Sequence, residues 1–265
     1  MDKITVACVQ FKPELGKTSQ NLDKIASFFQ QIKGSACHVI VFPELCVQGV
    51  ASPETIDSTA EPIPGNASHV LCELSKTYGV YSVVGIAERE GSKLYNSAIL
   101  INPDGKINGI YHKVHLWDTE ATYFSHGSHY PVFDTEFGKV AMWICYDTRF
   151  PEVARSYALK GARIAFVPTA WFARDVSHWQ LLIRVRALDN FMYVCGADEI
   201  VQSELFQASG YSMILDPCGK IIAAAEPMRE TIINGELDLS KSDSMRTLIP
   251  VLRDRQKQTY GELIS

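Results

Sequence analysis

Short apolar runs rich in β-branched residues alternate with helix-like segments along the whole chain. That alternation restricts the fold more than any other feature. Strands are expected at Ile4–Val9, His38–Phe42, Tyr81–Ala87, Tyr95–Ile101, Lys106–Tyr111, Val140–Ile144, Ile164–Val167, Phe191–Ala197, Ser212–Leu215 and Ile221–Ala224. Helices are expected at Ser19–Lys33, Ala67–Tyr78, Pro151–Lys160 and His178–Asn190. The first carries Leu22, Ile25, Ala26 and Phe29 on one face, with Ser19 as its expected cap. The third opens on proline and is followed by Gly161, the usual order of start and stop signals. Strands and helices in this order define an α/β architecture.

The chain also repeats itself weakly. Residues 34–44 resemble residues 161–169, residues 96–106 resemble 211–220, and Lys3–Gln10 resembles Lys139–Tyr146. Both members of the second pair read as strand, tight turn, strand, with glycine where the turn needs positive φ. Two such halves face to face would form a sandwich of two sheets with helices outside. The competing reading is that any α/β chain repeats patterns of this kind. No Pro/Gly/Ser-rich linker divides the halves, so residues 1–265 are expected to form one domain. The polar stretch from Leu239, residues 240–265 in particular, lacks a clear period and reads as an extended tail lying on the body or on a partner subunit.

Composition excludes several functions. With 46% hydrophobic and 21% charged residues, a chain of 265 residues can bury a full core and is not disordered. The formal charge is −5 and the basic residues form no stripe, so nucleic acid is not expected as a partner. No apolar run approaches the ~18 residues of a membrane span, and the start of the chain lacks the apolar region of a signal peptide. Seven scattered cysteines without a CxxC pair read as reduced thiols of a cytoplasmic protein.

One of those thiols stands apart. Cys145 ends the run from Val140 to Ile144 and precedes the helix expected from Pro151, so a helix N-terminus is expected to favour its thiolate. Glu44 follows the run Val39–Phe42 and Pro43, and Lys113 follows Ile110-Tyr111-His112 in the same manner. Residues at corresponding strand ends can converge on one site. A nucleophile, a carboxylate base and a fixed ammonium are the parts that acyl transfer requires.

These segments carry a resemblance. Phe42-Pro43-Glu44, Tyr111-His112-Lys113-Val114-His115-Leu116 and Ile144-Cys145-Tyr146-Asp147-Thr148-Arg149-Phe150-Pro151-Glu152 resemble the signature segments of the nitrilase superfamily of carbon–nitrogen hydrolases. Trp117-Asp118-Thr119-Glu120, with Phe124 and Gly127 following, resembles the segment that carries a second active-site glutamate. The resemblance implies a four-layer αββα sandwich that dimerises. It implies Cys145 as nucleophile, Glu44 as general base and Lys113 as oxyanion stabiliser, with the Tyr146 backbone N–H as second donor. Glu120 would position the substrate amide or hold the lysine and base. The implied reaction is thiol attack on an amide carbonyl, loss of ammonia or amine, and hydrolysis of the thioester. No cofactor and no metal is implied.

Other readings compete at single positions. A lone cysteine ending a strand is ordinarily an inert core thiol, which fits the six cysteines other than Cys145. Arg149 either binds a substrate carboxylate or forms an ion pair with Glu152 or another acid, and Arg174 and Arg184 are further candidates for an anion anchor. His112-x-x-His115 and His126-x-x-His129 have metal-like spacing, but residues 106–116 read as strand, where i and i+3 face opposite sides. A catalytically silent scaffold on the same fold is expected to lack one of the three reactive residues, and all three are present. Cys145-Tyr146-Asp147 resembles the amidase branch, including the ω-amidase and deaminated-glutathione amidase group. The Cys-Trp-Glu of nitrilases proper is absent, and Thr148 departs from the N-carbamoyl amino acid amidohydrolase pattern. The loops Ala51–Glu61, Ala170–Ser177 and Glu199–Ala208 are expected to set specificity. A homodimer or higher homo-oligomer is expected, because the helices at Pro151–Lys160 and His178–Asn190 hold apolar residues enough for both core and interface.

Overall fold

The computed structural model describes residues 2–203 and 206–261. Its chain path falls into two matching halves. The first runs β1 (Lys3–Gln10), α1 (Thr18–Gln31), β2 (Val39–Val41), α2 (Pro53–Thr59), α3 (Asn66–Tyr78), β3 (Tyr81–Glu90), β4 (Lys93–Ile101) and β5 (Ile107–His112). The second runs β6 (Phe133–Thr135), β7 (Gly138–Met142), α4 (Pro151–Leu159), β8 (Ile164–Thr169), α5 (Val176–Asn190), β9 (Tyr193–Asp198), β10 (Ile200–Gln202), β11 (Gln207–Ser209), β12 (Met213–Leu215) and β13 (Ile221–Ala224). Then follow β14 (Thr231–Asp238) and α6 (Ser240–Leu248).

The two six-stranded sheets have the orders β14-β1-β2-β3-β4-β5 and β6-β7-β8-β9-β12-β13, equivalent position by position. In each, three central strands are parallel (β1-β2-β3 and β7-β8-β9) and the flanking pairs are antiparallel. The weak sequence repeat is thus a real structural duplication. Period-two alternation assigns the faces. Val6, Cys8, Val39, Val41 and Val83 face a core shared with the second sheet, whereas Ala7, Val9, Ile40, Val84 and Ile86 face α1 and α3. The result is the expected αββα sandwich.

Several local expectations need correction. Helix α1 begins at Thr18 with Lys17 at its cap and no side-chain capping bond, so Ser19 lies inside it. Phe191 does not begin β9; it ends α5 in the left-handed region, with φ 45°. Strand β14 has no counterpart among the sequence expectations, yet it pairs with β1 along its whole length, Lys3 opposite Asp238 through Gln10 opposite Thr231. Residues 240–265 are not simply an extended tail. Residues 240–248 form α6, anchored where Arg246 donates to the carbonyls of Asn190 and Ala162, at 3.1 and 2.7 Å. Residues 262–265 of that stretch lie outside the described residues. No helix among the described residues is long and apolar enough to cross a membrane.

Candidate active site

Glu44, Lys113 and Cys145 lie just beyond the ends of β2, β5 and β7, and the sandwich brings them to one place. Glu44 reaches it because Gly85 on β3 lets the Pro43–Leu45 segment lie flat against the strand. A Cβ at Gly85 would stand 2.6 Å from both Glu44 Cα and Leu45 N. Gly127 plays the same part behind β5, where its N–H donates to the Lys113 carbonyl at 2.8 Å.

The floor of the site is a largely buried polar network. Lys113 Nζ donates to Glu44 Oε1 at 2.7 Å and to Glu120 Oε2 and Oε1 at 2.7 and 3.0 Å. Asn96 Nδ2 bridges the same two carboxylates at 2.8 and 3.1 Å. The Ala170 N–H donates to Glu44 Oε2 at 2.9 Å, and the Trp117 N–H to Glu120 Oε2 at 2.6 Å. Burial lifts the Glu44 carboxyl above the ordinary range against the pull of Lys113. Burial also opposes the Lys113 ammonium, but Glu120 and Glu44 outweigh it and hold its pKa well above that of free lysine.

Cys145 begins a tight turn, Cys145–Arg149, with φ 42° in the left-handed region. A non-glycine residue there is strained, and the strain swings the thiol out of the strand line. Asp147 pins the turn. It is fully buried and accepts from the Ile144 N–H (3.1 Å), the Tyr111 hydroxyl (2.7 Å) and the His115 N–H (2.9 Å), and it is hydrogen-bonded to His115 Nδ1 (2.8 Å). Arg186 supports it from below through the carbonyls of Thr148 and Arg149. Tyr146 is second in this turn, where a backbone N–H has no acceptor within the helix, and among the described residues it has no backbone acceptor elsewhere.

The expected stabilisation of a thiolate by a helix N-terminus is overruled. Burial first, and then the charge of Glu44, push the Cys145 thiol well above its ordinary pKa, with Lys113 only partly compensating. The resting group is a thiol, 3.6 Å from the Ala170 carbonyl, and it needs a base. Arg149 lies beside Cys145 in the pocket wall, paired with Asp175 at 2.8 Å rather than with Glu152. Arg184 is turned away and donates to the Gly219 carbonyl. The histidines are engaged separately, His112 with Glu88 and His115 with Asp147, each at 2.8 Å.

Of the loops expected to shape the pocket, Ala51, Ser52, Pro53, Ala170, Phe172 and Phe206 line it. Glu204 and Leu205 lie outside the described residues. Sequence reasoning missed Asn96, Asp147 and Arg186. The available signal for each was a polar residue inside or beside an otherwise apolar run.

Residues 5–247 match the family model described as carbon–nitrogen hydrolase. The chain is 34% identical to a probable nitrilase of Schizosaccharomyces pombe, over 99% of both chains. It is 33% identical to a 2-oxoglutaramate amidase of Bacillus subtilis, over 97% of this chain and all of that one (100%). Among solved structures, Nit3 of Saccharomyces cerevisiae, a member of branch 10 of the nitrilase superfamily, superposes with a TM-score of 0.88 at 34% identity over 97% of each chain. The chain belongs to the carbon–nitrogen hydrolase family, and the resemblance carried by its motifs is borne out. It is an enzyme of that family with the family's sandwich fold.

Proposed function

We propose that the enzyme hydrolyses the C–N bond of a small amide through a thioester on Cys145. The observation that carries this reading is the sealed Glu44–Lys113–Glu120 network beside a thiol held in strained backbone. Glu44 takes the thiol proton as sulfur attacks the amide carbon. The Lys113 ammonium and the Tyr146 N–H stabilise the tetrahedral oxyanion. Glu44 returns the proton to the leaving nitrogen, and ammonia departs as the C–N bond breaks. Water, deprotonated by Glu44, then attacks the thioester, releasing the carboxylic acid and restoring the thiol. Glu120 holds Lys113 and Asn96 in place. Arg149 is a wall residue whose charge Asp175 satisfies.

The whole chain serves as one catalytic unit, acting on an amide rather than a nitrile, in the cytoplasm and as a homodimer. Leu159 on α4 and Leu181 and Leu188 on α5 stay exposed, as does Leu248 on α6, which supports an apolar interface between copies. The test is ammonia release from matched amide, N-carbamoyl and nitrile substrates, with mass spectrometry of the quenched enzyme. An acyl adduct on Cys145 that is absent from Cys145→Ala is expected. A nitrile turned over faster than its amide, or an adduct on another residue, would overturn the reading.

A further inference from the structure

Aromatic rings from separate loops meet beside Cys145. Trp117 precedes the turn that carries Glu120, Phe172 follows β8, and Phe206 immediately precedes β11. The Trp117 centroid lies 5.6 Å from that of Phe172 and 6.0 Å from that of Phe206, and Phe172 stacks on Phe206 at 5.7 Å. All three rings remain half-exposed and line a narrow cavity together with Cys145, and it opens into a cleft of about 670 Å³ that the same four residues also line. The volume of that cleft lies within the ~300–1,000 Å³ usual for small-molecule sites. The Trp117 backbone N–H donates to Glu120 Oε2, so the chain that carries this ring is tied to the floor of the site.

Charge points the same way. Among the described residues lining this cavity and the cleft it opens into, the carboxylates are Glu44, Asp118, Glu120 and Asp175, against Lys113 and Arg149. Lys113 is held by Glu44 and Glu120, and Arg149 by Asp175 while it lies 5.0 Å over the Trp171 ring. No cation of that lining is left over for a substrate carboxylate, and the surplus of acids repels one. Arg174, over the Phe172 ring at 5.8 Å, does not line the cavity.

We infer that the acyl group of the substrate is uncharged and aromatic or bulky apolar, and that it is seated against Trp117, Phe172 and Phe206. The inference rests on the amide-hydrolase reading above. It excludes an ω-amide of a dicarboxylic acid as the preferred substrate, although relatives of similar identity are named for such amides.

The experiment compares kcat/KM for 3-phenylpropanamide, acetamide and glutaramate in the wild-type enzyme and in Phe172→Ala and Phe206→Ala. 3-Phenylpropanamide is expected to exceed glutaramate by about tenfold or more, since its ring replaces water against aromatic surface. Each variant should lower the preference for 3-phenylpropanamide over acetamide, mainly through KM, by roughly tenfold. Because the preference is a ratio within one enzyme, partial loss of folded protein does not affect it, and Phe206→Leu provides a milder variant. Glutaramate as the best substrate, or an unchanged preference in both alanine variants, would overturn the inference while leaving amide hydrolysis standing. Absence of turnover on all amides, with no adduct on Cys145, would instead remove the underlying reading and the inference with it.

Discussion

Lys113 Nζ lies 2.7 Å from Glu44 Oε1, and both side chains are sealed, at 2% and 3% exposure. Removing one partner of a buried pair leaves an uncompensated charge and costs about 3–5 kcal/mol. Lys113 therefore has a structural load besides the oxyanion role proposed for it. Lys113→Met should lower kcat by ~10² or more, the scale of a lost oxyanion donor, and should also weaken the fold by about 3–5 kcal/mol. Ammonia release and urea unfolding of the same preparation check both. Unchanged stability would mean that Glu44 and Glu120 do not depend on the lysine charge.

Burial and Glu44 together raise the Cys145 thiol, so removing the Glu44 charge should lower its pKa even as it removes the base. Alkylation follows the thiolate fraction. In Glu44→Gln, the midpoint of the iodoacetamide rate against pH is expected to move to lower pH, while amide turnover is lost. Mass spectrometry confines the reading to Cys145 among the seven cysteines. A midpoint that stays or rises would show that the Glu44 carboxylate does not act on the thiol through its charge.

The close approach of Gly85 to the Glu44 backbone gives a variant remote from the reacting atoms. Gly85→Ala would place a methyl group 2.6 Å from Glu44 Cα and Leu45 N, neither of which is a flexible side-chain end. The segment must retreat and take the Glu44 carboxylate with it. A displacement on the order of 1 Å can cost ~10² in rate. Turnover should fall by about that factor, with alkylation of Cys145 still measurable. Turnover equal to wild type would show that this segment carries Glu44 with slack to spare.

Glu44, Lys113 and Cys145 were legible because each follows an apolar run and the sandwich gathers strand ends. The duplication was legible because both halves need the same turns. Asn96 was not, since it lies within β4 and its role depends on two acids, Glu44 and Glu120, from other loops. Strand β14 was missed because Asn234-Gly235 reads as a turn. In the fold these residues pair with Ala7 and Val6, and Gly235 leaves room for Ile214, whose Cγ2 a Cβ would meet at 2.9 Å. Helix α6 is polar and buries only Ser242. Its anchors are the Arg246 hydrogen bonds to the carbonyls of Asn190 and Ala162, and no hydrophobic period reports them. The pKa of Cys145 was misread because proximity to a helix terminus is visible in a sequence, whereas burial beside a carboxylate is not.

Behind Glu44 lies a second pair of acids, Asp198 and Glu199, both fully buried. Asp198 Oδ1 accepts the Trp171 N–H at 2.9 Å, but among the described residues the Glu199 carboxyl has no well-formed hydrogen bond beyond a loose contact with the Val50 backbone. Burial, and next the charge of Glu44, raise the Glu199 carboxyl well above its ordinary range. The sign of its effect on stability follows. Above about pH 4.3 the unfolded chain gives up this proton while the native protein keeps it, so Glu199 makes stability fall as pH rises. The loss grows until the native carboxyl itself ionises. Glu199→Gln keeps the shape of the side chain and removes the titration. The difference in unfolding free energy, variant minus wild type, should therefore climb in favour of the variant as pH rises above about 4.3 and level off once the native carboxyl ionises. Urea denaturation of both proteins across that range measures it. A difference constant with pH would show that Glu199 titrates alike in the folded and unfolded chains, and that its burial leaves the carboxyl unperturbed.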